Sequence, residues 1–122
     1  MIQNRTNLKV ADNTGAKKIT CFKVYKSKSR DKAFIGDTII ASVKSTKPHG
    51  LVKKGQIVKA VIIRQKFPYK RKDGSSIRFD DNAAVIIDDD NNPKGTKIIG
   101  PIAKEIRLRG YHKIVSQAEE VL

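Results

Sequence analysis

Apolar and polar residues alternate with a period of two through much of the chain before residue 88, a spacing that predicts half-buried strands. Thr6, Leu8 and Val10 mark the first. The turn Ala11-Asp12-Asn13-Thr14-Gly15-Ala16 follows, with Asn13 and Gly15 able to take left-handed backbone angles. Residues 19–24 are rich in β-branched and aromatic types and read as a second strand, and the charged stretch 26–32 reads as a loop. Gly36-Asp37 opens a third strand, in which Ile39, Ala41 and Val43 alternate with Ile40, Ser42 and Lys44. Residues 45–50, with Pro48 and Gly50, form an exposed basic turn. The fourth strand, 56–64, is apolar at almost every position and is expected to be central. A fifth spans 83–87, ahead of a loop of Asp, Asn, Pro and Gly at 88–95.

Between the last two strands lies Asp73-Gly74, the strongest short hairpin signal in the chain, with 77–79 as the returning arm. A two-residue Asp-Gly loop with long basic flanks predicts a ribbon over about 66–79. The period changes after Pro101. Ile102 and Ile106 stand four apart on a short helix that Pro101 can begin and Gly110 can end, and 111–118 adds another helical turn or two. The expected protein is therefore mainly β, one domain over 1–122: a small barrel over about 1–100, the projecting ribbon, and a tail of short helices over about 101–122. A chain of 122 residues is long enough for one core.

Charge changes the picture. The net charge is +14 and the pI about 10.1, in the range of nucleic-acid-binding domains. The charge is uneven: residues 1–72 carry a net +16 and residues 73–122 a net −2. Membranes also attract basic proteins, but there is no long apolar run and no basic amphipathic helix. Cys21 is the only cysteine, so an intrachain disulfide is excluded, a reducing compartment is the natural reading, and Cys21 itself reads as a small core residue. The first residues show no signal or transit pattern, though a processed precursor would leave the same sequence. Seven aromatic residues and no Trp argue against a base-stacking platform as the main binding device.

The basic segments carry the candidate chemistry. Lys17-Lys18, the run Lys26, Lys28, Arg30 and Lys32, Lys53-Lys54 and Lys70-Arg71-Lys72 all fall at or beside predicted turns. From there they can reach phosphates without being buried, and each phosphate neutralised releases counterions. The bland alternative is solvated strand ends. Tyr69 either stacks on a base or ribose or covers the root of the hairpin.

Other motifs fail on their spacing. Asp88-Asp89-Asp90 begins like a calcium loop, but Pro93 stands where its glycine belongs and Ile99 where its glutamate belongs. A magnesium pair at Asp80-Asp81 lacks a partnering acid or His, so a charged turn is the better reading. Gly50-Leu51-Val52-Lys53-Lys54-Gly55-Gln56 has the spacing of a phosphate loop without its Lys and Ser or Thr. His49 and His112 stand apart from each other and from Cys21. No catalytic site, metal site or cofactor is expected, and the protein is not read as an enzyme.

Ala60-Val61-Ile62-Ile63, then Asp73-Gly74, Phe79, Asn82 and Val85-Ile86 closely resemble the signature of the ribosomal L-fourteen family. The resemblance runs over essentially the whole chain. It includes Met1-Ile2-Gln3, the segment from Val10 to Ala16, Gly36-Asp37, Ile77-Arg78-Phe79-Asp80, Asn92-Pro93-Lys94-Gly95-Thr96 and Lys113-Ile114-Val115-Ser116. It implies a five-stranded barrel with a projecting ribbon and a tail of short helices. It also implies a structural constituent of the large ribosomal subunit that binds large-subunit rRNA and helps bridge to small-subunit rRNA. Neighbouring large-subunit proteins are implied partners, as is a ribosome-silencing factor on the intersubunit face.

By matching position, Lys17, Lys18, Lys53, Lys54, Arg64, Lys66, Tyr69, Lys70, Arg71, Lys72 and Arg78 are the implied rRNA-binding residues. Lys44, Lys47, His49, Thr96, Lys97 and Lys113 are the implied intersubunit-bridge face. Ile99 replaces a usual aromatic and Gln117-Ala118-Glu119 a usual Leu-Ala-Pro, both near that face. The bacterial type of the family is the nearer match, which implies a ribosome in bacterial cytoplasm, a mitochondrion or a plastid. Two other classes compete: a free RNA-binding module that cycles on and off RNA, and a metal-dependent nuclease using Asp80, Asp81 or residues 88–90.

Overall fold

A computed structural model of the chain describes residues 2–26 and 32–122. Lys28 and Arg30, in the charged stretch expected to form a loop, lie outside the described residues. The elements in chain order are β1 (Asn7–Val10), β2 (Ala16–Lys26), β3 (Thr38–Thr46), β4 (Ile57–Arg64), β5 (Tyr69–Lys70), β6 (Ser76–Ile77), β7 (Ala83–Ile87), β8 (Ile98–Ile102), α1 (Glu105–Leu108), α2 (His112–Gln117) and β9 (Ala118–Val121).

Five strands close into a barrel in the order β1-β2-β3-β4-β7. Successive pairs are antiparallel, and the barrel is sealed by a parallel pairing of β1 with β7, where Lys9 faces Ala83 and Val10 faces Ala84. β4, apolar at almost every position, lies between β3 and β7 and is buried along most of its length. One face of the strands fills the barrel. Leu8 stands opposite Ile19, Cys21 opposite Ala41, Ile39 opposite Ala60, and Ala60 opposite Ile86, all of them buried.

Strand side chains alternate between faces, so Val61, Ile63 and Val85 point away from that interior. They are nonetheless fully buried. The C-terminal segment belongs to the same core through Ile98, Ile102, Ile106 and Ile114. It is tied to the barrel by the Ala103 N–H donating to Ile63 O (3.4 Å) and by the Tyr111 hydroxyl bonded to Thr38 Oγ1 (2.8 Å). Each isoleucine buried this way contributes roughly 1.5–3 kcal/mol.

Two local expectations are corrected. Pro101 was expected to begin a helix, but it lies inside β8, which pairs in parallel with β9, Pro101 facing Glu120. Proline fits a short two-stranded sheet with a register shift, where one missing ladder donor is tolerated. The helix begins instead at Glu105, and it ends as expected at Gly110. There the Gly110 N–H reaches Arg107 O and the Tyr111 N–H reaches Ile106 O, the double bond of a glycine-terminated helix.

The ribbon turn is also longer than two residues. Lys72, Asp73 and Gly74 lie between Arg71 and Ser75, with the Arg71 N–H donating to Ser75 O (2.8 Å). Gly74 takes φ +89°, the left-handed position that three-residue hairpin loops require. Asp73 shapes the turn by accepting the Ser75 N–H and hydroxyl.

Candidate nucleic-acid interface

The connections β1–β2, β3–β4 and β7–β8 all leave the same end of the barrel, because β1 and β7 run parallel and β3 ends beside the start of β2. They are stitched to one another. Thr14 O accepts the Leu51 N–H (2.7 Å) and Gly15 O accepts the Lys47 N–H (2.8 Å), joining the first two. Gly15 sits so close to Gly50 that a Cβ on it would lie 2.8 Å from Gly50 Cα, and its φ is +100°.

Asn13 joins the first and third. Its Oδ1 accepts the N–H groups of Thr96 (2.8 Å) and Lys97 (3.3 Å), and its Nδ2 donates to Thr96 Oγ1 (2.8 Å). Beneath them, buried Asp12 accepts the Thr14 N–H and hydroxyl through Oδ1 and the Ile86 N–H through Oδ2. Burial pushes the Asp12 carboxyl above its ordinary pKa, and those hydrogen bonds pull partly against it.

This end displays a set of exposed groups drawn from distant parts of the sequence: Lys17, Lys18, Lys44, Lys47, His49, Lys53, Lys54, Thr96 and Lys97. The Lys53–Gln56 turn is closed by the Lys53 N–H donating to Gln56 Oε1 and the Gln56 N–H to Lys53 O. Lys113 is exposed on α2, which is fastened to the same loops by Gln117 Nε2 donating to Gly95 O (3.2 Å). Of the two departures from the family pattern, Ile99 is exposed, while Glu119 accepts the Gly100 N–H.

At the opposite end, Lys66, Lys70, Lys72 and Arg78 are exposed on and around the ribbon. The ribbon root is held by buried Gln65, which accepts the Ile35 N–H and donates to Phe67 O, and by the Lys66 N–H donating to Asn82 Oδ1. Tyr69 is half-buried, packed against the core opposite Ile77.

Two arginines grouped with the surface set, Arg64 and Arg71, are placed against internal partners. Arg64 is buried. Its Nε donates to Asp81 Oδ1 (3.0 Å), and its Nη1 donates to the carbonyls of Ile99 (3.0 Å) and Pro101 (3.1 Å). It pins β8 to the barrel instead of facing solvent. Arg71 pairs with Glu105, Nη2 to Oε1 and Nε to Oε2, each at 3.1 Å, and donates to Leu122 O (2.7 Å). Sequence spacing could not separate these from outward cations, since an arginine beside a turn fits both roles.

The acidic loop is also taken up locally. Asp88 Oδ1 accepts the N–H groups of Asp90 and Asn92, and Asp81 is paired with Arg64 and Lys9. Among the described residues no group of three or more His, Cys, Asp or Glu side chains is arranged to hold a metal. Cys21 is buried in the barrel wall, where desolvation pushes its thiol above the ordinary value.

A closed five-stranded barrel that commits Arg64 and Arg71 to internal partners and offers lysines at both ends defines a class, the small cationic β-barrel proteins. Over residues 1–122 the sequence matches the family of ribosomal protein L14p/L23e, and the chain belongs to that family. It is a ribosomal protein of the large subunit, and its place is the ribosome.

Proposed function

We propose that this protein binds large-subunit rRNA through the exposed lysines at the two ends of its barrel, and that the stitched end contributes to a bridge with small-subunit rRNA. The observation that carries the reading is the cross-linking of three loops through Asn13, Thr14 and Gly15, which brings lysines from distant parts of the sequence onto one prepared surface. A surface ordered before its partner arrives avoids much of the entropy cost of binding. Lysine neutralises phosphates without reading bases, which suits a protein that fixes the spacing of packed RNA helices. Lys44, Lys47, His49, Thr96, Lys97 and Lys113 form the bridge side of this proposal. Neighbouring large-subunit proteins and a ribosome-silencing factor are further proposed partners, and the compartment is bacterial cytoplasm or an organelle.

The test is sedimentation of tagged protein from lysate through a sucrose gradient after a high-salt wash. Co-migration with large subunits and intact ribosomes is expected. Release into light fractions by moderate salt would favour a factor that cycles on and off RNA, and the bridge assignment would be abandoned. Lys53→Gln with Lys54→Gln should weaken subunit joining more in low salt than in high, because the lost phosphate contacts also remove part of the salt dependence.

A further inference from the structure

We propose that the cleft between the ribbon and α1 receives one splayed-out nucleotide of single-stranded RNA, a contact that rests on the RNA binding proposed above and makes part of it specific. The cleft encloses about 280 Å³, close to the ~300 Å³ lower bound of small-ligand pockets. It suits a base with its ribose and is too small for a folded element.

One wall is Tyr69 of β5; the other is Leu108 at the end of α1, a leucine 78% exposed. The lining also includes the exposed residues Lys70, Lys72 and Lys104. At the base, the Arg71–Glu105 pair fixes the separation of ribbon and helix, so the cleft exists before any ligand arrives. Asp73, the remaining carboxylate of the lining, is turned onto Ser75 by bonds of 2.9 and 2.6 Å.

Apolar walls with cationic residues in the lining complement a nucleotide, whose base has apolar faces and whose phosphate is an anion. A duplex keeps its bases stacked inside and could not place one there. Lys66 and Arg78, exposed near the ribbon in sequence, add positive charge for a sugar-phosphate chain leaving the cleft. An acidic peptide with one apolar anchor is the competing occupant. It explains the cleft equally but leaves that outlying charge unused.

The experiment uses the full chain and a single-stranded RNA hexanucleotide carrying one 2-aminopurine, titrated at several salt concentrations. Leu108→Ser and Lys104→Gln alter exposed side chains, and unchanged melting temperatures would confirm that both fold. Leu108→Ser is expected to weaken binding at least about fivefold, through the lost burial of the leucine side chain against the base, with the salt slope unchanged. Lys104→Gln is expected to reduce that slope by about 0.7, one single-strand phosphate. Equal binding by Leu108→Ser and wild type, with salt dependence intact, overturns the cleft and leaves the RNA reading standing. Loss of all salt-dependent RNA binding by the wild type overturns both. Displacement of the hexanucleotide by a glutamate-rich peptide bearing one phenylalanine, at lower concentration than unlabelled RNA, assigns the cleft to protein and overturns the proposal.

Discussion

Arg64→Lys separates a residue that builds the fold from one that binds phosphate. Both side chains carry one positive charge, so a phosphate contact would largely survive the exchange. The internal role would not. Arg64 satisfies three acceptors lying in different directions: Asp81 through Nε, and the Ile99 and Pro101 carbonyls through Nη1. An ammonium on a flexible stem is a point charge without the planar fork, and it can engage one of these sites well but not all.

Two charge-assisted hydrogen bonds are therefore lost, at about 1.5–3 kcal/mol each. Part returns as solvation, because Asp81 is 32% exposed and Ile99 lies at the surface, which discounts the ion-pair share. A net loss of about 2–4 kcal/mol remains. With a urea m-value of about 1.5 kcal/mol/M, that moves the unfolding midpoint down by roughly 1.3–2.7 M. The assay is equilibrium urea unfolding, paired with RNA binding of the folded variant across salt. A midpoint shift under about 0.5 M together with a shallower salt slope would refute the reasoning and return Arg64 to the RNA-contacting set.

Gly15→Ala should cost about 2 kcal/mol, or roughly 6–10 °C in Tm, because the residue is strained at positive φ and its Cβ meets Gly50; a thermal melt within 2 °C of wild type, on the same scale, would count against the stitched end. Lys53→Gln with Lys54→Gln should lower the salt slope for structured rRNA fragments by about 1.8, and an unchanged slope would remove that turn from the interface. The two perturbed aspartates should act oppositely with pH. Asp12, whose folded pKa is raised by burial, holds its proton more tightly when native, so its contribution falls as pH rises from its unfolded value through its folded one. Asp73, whose pKa is lowered by the Ser75 hydroxyl and N–H, contributes fully above its unfolded pKa and loses that contribution as pH falls through the folded value; Asp73→Asn should abolish this acid-side loss in urea unfolding measured from pH 2 to 6. Cys21 should resist iodoacetamide in the native protein and react in urea, and rapid native labelling would contradict its place in the barrel wall.

Much of the barrel was legible because its signal is local. Alternation at Leu8, Val10, Ile39, Ala41 and Val43 marks a buried face by itself, and the unbroken run of β4 marks burial on both faces. The β8–β9 pair was not legible. Its two strands meet in parallel from positions twenty residues apart, Ile98 with Ala118, and Pro101 argues locally for a helix start. Tertiary partners keep that stretch extended: β9, the Ala11 carbonyl that accepts the Ile99 N–H, and Arg64 on the Ile99 and Pro101 carbonyls. The basic surface could be read as a list but not as a shape. Asn13 was noted for its backbone tolerance, whereas its side chain joins loops 83 residues apart, and no sequence spacing announces that.

The division between arginine and lysine is the physical logic behind this surface. Arg64, Arg71 and Arg109 face Asp81, Glu105 and Asp37; Arg109 ties the C-terminal segment to the start of β3, Arg64 reaches β8 as well, and Arg71 joins the ribbon to α1. Arginine suits that task because its weakly hydrated, planar fork can leave water and hold several acceptors at once. Lysine keeps its hydration and stays outside, and lysines crown both barrel ends, joined by Arg78 at the ribbon. Exchanging the outer lysines at 17, 18, 53 and 54 for arginine should therefore preserve both fold and charge, whereas exchanging inner arginines for lysine should cost stability at constant charge. Net charge alone, identical in the two cases, predicts no difference between them.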